Sequence, residues 1–450
     1  MRQRINIRGR DMKKVKSKKI VIISSLFLIL FLGGIIIYRF PVSFGGEYPP
    51  LLPSLPPDTI LTKEQVMEDR QAAIRFVENV HPYFILEEDL SDYQKARQHY
   101  MDITENKMRA EDFQAATAEY LCFFQDGHTC LWWREQEYLE LKGTYQKGHT
   151  YLEKNGEVTD IYVESIGGRD METIYQTIDR MIPAENEKAA EVNRDRYVTG
   201  KNMLKLAGAE ILGNSAMVIY SDGSKEECLF KEGEKSLPKG QERETNTFNM
   251  DGDVFVINFV ECVDDDNLKS IAKELKSAVK NGCGKVLIDV RGNGGGNSNA
   301  CERLLKAMGM KAPGYDMVVR FSKEASKQAG YLRSNGSFKW KGSDRCKSNE
   351  KVELIVLCDR DTFSSATMLL VWVRDGNLGK IVGEASSNTP SSYGDILYLS
   401  LPNSHLDASV SHKQFIRPDE KNNSRTLLPD VETSSRDAYE KAMELFERDK

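Results

Sequence analysis

Apolar residues recur at helical spacing from Val66 through Ala73, Ile74 and Val77 to Val80. They follow Thr62-Lys-Glu-Gln65, a capping box, so the pattern predicts the first helix of a helical segment reaching to about His128. From Tyr145 to about Lys239 the pattern changes to short strands and one helix: a strand over Asp160–Ser165, a turn at Gly167-Gly168, and a helix over Glu172–Met181. Beyond that, strand and helix alternate. A strand at Asp253–Asn258 precedes a helix from Leu268 to Val279, a strand runs from Lys285 into three glycines, and a helix covers Cys301–Met308. A second apolar run, Val352–Leu357, leads into a helix opening at Ala366. Such alternation predicts an α/β sheet.

Ile20–Tyr38 is a 19-residue run without charge, and as a helix it spans about 28 Å, enough for a bilayer core. Nine basic residues precede it, which keeps the N-terminus cytoplasmic and the body outside. A cleaved signal peptide is the rival reading, but no clear small-x-small site follows before Pro41. Six of the fourteen prolines lie between Pro41 and Pro57, a semi-rigid spacer off the membrane.

The net charge of −6 hides an asymmetry. Ten of the 62 Lys and Arg, but only Asp11 of the 68 acidic residues, lie in the first 39 positions, so the remainder carries −15. An acidic body argues against nucleic acid as a partner. The eight cysteines include no Cys-x-x-Cys pair and lie mostly in apolar stretches, which reads as core packing and not as a zinc site.

Candidate chemistry gathers where the apolar runs stop. Lys285–Gly296 ends in three glycines, whose bare amides a ligand can approach closely. A Walker loop needs Lys and Ser or Thr after its last Gly, and a dinucleotide loop needs a third Gly three residues on; Asn297-Ser-Asn299 follows instead. A ligand-free strand-to-helix turn remains the plain alternative. Ser364 and Ser365 precede an apolar helix, where a serine caps the helix and also sits among free N–H groups that stabilise an anion. A serine nucleophile needs a base. Of six histidines, His81, His99, His149, His405 and His412 read as surface, capping or core-edge residues. His128 lies in a polar turn, Phe123-Phe-Gln-Asp-Gly-His-Thr129, between apolar segments.

Asp126-Gly-His-Thr129, Ile288-Asp-Val-Arg-Gly-Asn-Gly-Gly-Gly296, Thr362-Phe-Ser-Ser-Ala366, Ile381-Val-Gly-Glu384, Leu401-Pro-Asn-Ser404 and Leu428-Pro-Asp-Val431, in this order, resemble the tail-specific, carboxyl-terminal processing serine peptidase family. The likeness spans about Leu61 to Leu445. It implies a ClpP/crotonase-like catalytic domain over 246–450 and a PDZ-like α+β module over 141–245. Before these lie a helical segment carrying the histidine (61–140), the Pro-rich linker (39–60), a transmembrane helix (20–38) and a basic cytoplasmic head (1–19). No Gly-Leu-Gly-Phe carboxylate-binding loop stands in the 141–245 stretch.

The processing branch pairs its serine with a lysine 25 residues later, and that position is Thr389. The branch similar to the tricorn core uses an upstream histidine, and His128 stands there. The resemblance therefore implies Ser364 as nucleophile, His128 as base, and an oxyanion hole from the amide of Ser365 with Gly294 or Gly295. The tricorn-like orienting Glu aligns near Asn423, and Thr367 stands where the family often has Glu three residues after the nucleophile, so Asp126, Thr129 and Asn423 are the candidates for orienting His128. The expectation is a membrane-anchored, extracytoplasmic serine endopeptidase acting on unfolded or tail-exposed polypeptide, with no metal or cofactor. The competing reading is a non-catalytic relative whose cleft binds a peptide or apolar ligand. Oligomeric state is left open.

Overall fold

A computed structural model describes residues 43, 45–233 and 245–448. The transmembrane expectation for 20–38 falls outside the described residues, and among those described no helix is long and apolar enough to cross a membrane.

The helical segment forms as its pattern predicts. Thr62 and Gln65 complete the capping box of the Lys63–Val80 helix, and Val66, Ala73, Ile74, Val77 and Val80 are all buried. Helices Ser91–Ile103 and Ala110–Cys122 follow, joined to it by a Tyr and Phe cluster that includes Tyr93, Tyr100 and Tyr120. The chain then enters the Asp126–Thr129 turn.

Next comes an antiparallel sheet with the strand order Glu137–Leu139, Lys225–Glu232, Ser215–Tyr220, Glu157–Ile166, His149–Lys154, Gly143–Gln146. Its first strand lies before residue 141, so the sheet begins earlier than the pattern suggested. Three helices accompany it where one was expected: Met171–Met181, Glu187–Tyr197 and Lys201–Leu206. Glu187–Tyr197 is rich in charge, which blurs its apolar stripe, and Lys201–Leu206 is too short to show a period.

The last unit holds two sheets. Val254–Asn258, Lys285–Asp289, Glu353–Cys358, Lys380–Gly383 and Val431–Glu432 are parallel neighbours in that order, with Thr247–Asp251 antiparallel at one edge. Both faces of the parallel strands are covered, as their near-continuous apolar runs require. One face packs on helices Asp266–Lys280, Ser298–Ala307 and Ser365–Asp375; the other packs on Ala438, Ala442 and Phe446 of the C-terminal helix.

A second, antiparallel sheet runs Ser337–Trp340, Asp316–Arg320, Asp407–Ile416, Ser392–Ser400. The expected single α/β sheet did not include it. Cys130–Leu131, just past the histidine turn, adds to Asp407–Ile416 by pairing with Ser409 and Ala408. This pairing carries a residue of the N-terminal segment into the last unit.

Candidate active site

Strands Lys285–Asp289 and Glu353–Cys358 are adjacent and parallel, so the turns at their C-terminal ends lie side by side. Such crevices at strand ends are where open α/β sheets bind ligands. The turns are laced together: Thr362 Oγ1 donates to the Val290 carbonyl at 3.0 Å, and the Phe363 N–H donates to the Asn293 carbonyl at 2.9 Å.

Ser364 follows with φ 53° and ψ −123°, a left-handed conformation that a non-glycine residue adopts only when its surroundings enforce it. Although it occupies the cap position of the Ser365–Asp375 helix, its hydroxyl makes no capping bond. The hydroxyl instead meets His128, with Nε2 and Oγ 3.0 Å apart. The neighbouring Ser365 hydroxyl is turned away, donating to the Gly296 carbonyl at 2.7 Å.

The glycines divide their work. Gly295 has φ +99°, and a Cβ there would stand 2.6 Å from Ser364 Cβ and 2.9 Å from Ser365 N. Its own N–H is spent on Asn293 Oδ1 at 2.8 Å. Gly295 is therefore a packing glycine, and this corrects its expected place as an oxyanion donor. Gly294 is exposed, and a Cβ built on it meets nothing within 4 Å. The amide of Ser365 is the first in its helix and so has no intrahelical acceptor.

His128 is held from two sides. Asp126 Oδ1 accepts the His128 backbone N–H at 2.9 Å and lies 3.6 Å from Nδ1; Glu185 Oε1 lies 3.7 Å from Nδ1. Both are within ion-pair range and just beyond hydrogen-bond range, leaving Nδ1 buried without an acceptor. Burial works against the imidazolium, but the two carboxylates outweigh it and raise the pKa to about 10.

Asp126 is itself buttressed, since its Oδ2 accepts from Ser411 Oγ at 2.7 Å and from buried His81 Nε2 at 3.4 Å. Burial pushes this carboxyl up, yet the bonds with His128 and His81 hold it below the usual carboxylate range. His81 Nδ1 accepts the Tyr83 N–H, which leaves its proton on Nε2, and burial keeps the ring neutral. Of the surface, capping and core-edge roles expected for it, His81 is nearest the last: it is fully buried and supports Asp126 from the interior.

Two orienting candidates fall away. Thr129 Oγ1 accepts the Ser411 N–H at 3.0 Å and braces the turn without reaching the ring. Asn423 sits exposed on a loop lining the same pocket as Asp126 and Glu185, with no contact to the imidazole among the described residues. Glu185 takes that place, and the sequence reading passed over it. It is 3 % exposed, and Oε1 accepts the Gly127 N–H at 3.1 Å. Its Oε2 accepts the N–H and hydroxyl of Thr389 at 2.9 and 2.8 Å, and also the Asn388 side chain. Asn388 Oδ1 in turn accepts the Ser364 N–H at 3.0 Å, so one carboxylate links the histidine turn to the nucleophile's backbone. The available cue was a Glu set between Ile182-Pro-Ala184 and the helix-capping Asn186.

Ligating atoms of Asp126, His128 and Glu185 lie within 4.8 Å of one another. The two carboxylates already accept N–H and O–H donors from Ser411, His81, Gly127, Asn388 and Thr389, which satisfies much of their acceptor capacity. This donor set suits an imidazolium better than a metal ion.

A hydroxyl on a strained strand-to-helix turn, with an imidazole at its oxygen and a helix N-terminus beside it, is the arrangement of a serine-type peptidase. Residues 251–433 match the family model described as peptidase family S41, and this segment is an S41 peptidase domain. Ser364 and the glycine loop lie inside the match, whereas His128 and Glu185 lie outside it. No curated protein matches the chain by sequence.

Among solved structures, mature CPAF is 12% identical over 85% of this chain and 96% of its own, with a TM-score of 0.56. Mature CPAF complexed with lactacystin is 13% identical over 86% and 98%, also at 0.56. A photosystem II D1 C-terminal processing protease is 15% identical over 83% and 94%, with a TM-score of 0.43. At these identities the likeness to CPAF is one of fold.

Proposed function

We propose that the protein is a Ser-His endopeptidase, anchored by the 20–38 segment with its body outside the membrane, that cleaves unfolded or tail-exposed polypeptide. The observation that carries the catalytic part is the 3.0 Å approach of His128 Nε2 to Ser364 Oγ. Ser364 Oγ attacks the peptide carbonyl carbon as His128 Nε2 takes its proton. The carbonyl oxygen, now negative, is held by the amides of Gly294 and Ser365, each good donor being worth roughly 3–4 kcal/mol in the transition state. The imidazolium, stabilised by Asp126 and Glu185, passes its proton to the leaving amine, and water then hydrolyses the acyl-enzyme. Because the carboxylates raise the imidazole pKa, the resting ring must first release a proton, and activity belongs to the alkaline side.

Thr389 at the position of the processing-branch lysine supports the Ser-His arrangement, since its hydroxyl serves Glu185. The anchor and the location rest on the apolar run and its nine preceding basic residues. The test is cleavage of an unstructured polypeptide by the purified full-length chain and by Ser364→Ala. Cleavage by the parent alone supports the assignment, and equal cleavage by both removes Ser364 from the mechanism.

A further inference from the structure

Beneath the glycine loop, Cys262 and Cys301 face each other with sulfurs 3.6 Å apart, both essentially without solvent exposure. Neither has a part in the proposed peptide cleavage, yet both touch the elements that frame it. Cys262 pairs with the loop through its backbone, its N–H donating to the Gly295 carbonyl at 3.0 Å and its carbonyl accepting the Asn297 N–H at 2.6 Å. The Cys301 thiol donates to the Ser365 carbonyl at 3.4 Å. The Cys262 thiol also faces Asn293 Oδ1 at 3.7 Å, the atom that holds the Gly295 N–H.

We propose that Cys262 and Cys301 are an oxidation site, closing to a disulfide that displaces the oxyanion loop and switches the peptidase off. A disulfide sulfur pair is about 2.05 Å apart, so closure draws the sulfurs together by about 1.5 Å. The backbone of Cys262 is paired with the loop, so part of that travel reaches the catalytic amides, where a misplacement near ~1 Å costs about a hundredfold in rate. The oxidant is a low-molecular-weight disulfide, RSSR, and because both thiols are buried the exchange proceeds through transient local opening of the glycine loop. One cysteine thiolate attacks it, giving a mixed disulfide and RSH; the second, on losing its proton, attacks the mixed disulfide at the cysteine sulfur and releases another RSH. The two electrons and two protons lost by the cysteines leave in the two RSH molecules. The hydrogen bond with Cys262 and burial push the Cys301 thiol well up, so the exchange quickens with rising pH.

The effect on activity rests on Ser364 as nucleophile; the bond itself does not. The full-length protein is incubated with oxidised or reduced glutathione, labelled with a fluorophosphonate, then unfolded, alkylated and peptide-mapped. The expected result is a Cys262–Cys301 cross-linked peptide after oxidation and labelling at least ~100-fold slower, restored by dithiothreitol, with Cys301→Ser indifferent to oxidised glutathione. Should that variant fail to fold, Cys262→Ser makes the same comparison. Separate alkylation of both cysteines after oxidation overturns the proposal, as does a cross-linked protein labelled at the reduced rate. Absence of labelling in the reduced protein overturns the nucleophile assignment instead, and the peptide map still reads the bond.

Discussion

Glu185 Oε1 lies 3.7 Å from His128 Nδ1, while its Oε2 accepts the N–H of Thr389 at 2.9 Å. The residue behind the base is thereby tied to the loop that holds the nucleophile's backbone. Its charge favours imidazolium, so the acidic limb of kcat/KM against pH lies above the ordinary histidine value of 6.5, toward the raised one. Glu185→Gln removes part of that support. The limb moves to lower pH and the plateau falls by roughly tenfold or more. A Glu185→Gln profile superimposable on the parent's contradicts this role.

The glycine loop separates donor from spacer. Gly294→Ala meets nothing within 4 Å and keeps most of its activity, whereas Gly295→Ala puts a methyl 2.6 Å from Ser364 Cβ at φ +99°. That variant loses at least ~10²-fold in kcat/KM while remaining folded by circular dichroism. Equal activity in the two variants would contradict the packing role of Gly295.

His412 lies in the strand Asp407–Ile416, buried against Tyr331, whose hydroxyl is 3.1 Å from Nε2. Burial lowers its pKa to about 4 despite Asp395, with Lys413 adding to the decrease. The unfolded chain binds this proton near pH 6.5 and the folded one does not, so stability is full above that pH and is lost progressively as pH falls toward 4. The loss is on the order of 3 kcal/mol. Thermal melts between pH 7 and 4 should show a shallower decline for His412→Gln than for the parent, and parallel declines would refute the assignment.

Much of this arrangement was legible. The two apolar runs ending in glycines and in Ser364 became neighbouring parallel strands, because such runs are stable only when buried on both faces. The DGH turn was legible as polar residues between apolar segments. What guided His128 to Ser364 was not, because the guide is the two-residue strand Cys130–Leu131 joining Asp407–Ile416, and pairing across that distance leaves no local periodicity. Glu185 was missed for a similar reason, since its partners at Gly127, Asn388 and Thr389 are distant in the chain. Gly294 and Gly295 were indistinguishable as letters; the Asn293 side chain, which occupies one amide, and the crowding at Gly295 tell them apart.

Covalent labelling by a serine-directed fluorophosphonate, with the modified peptide mapped, tests the Ser364–His128 pairing most directly. The account predicts modification at Ser364 in the parent protein and a rate at least ~10³-fold lower in folded His128→Ala. Modification at Ser365, or an undiminished rate in His128→Ala, would contradict it.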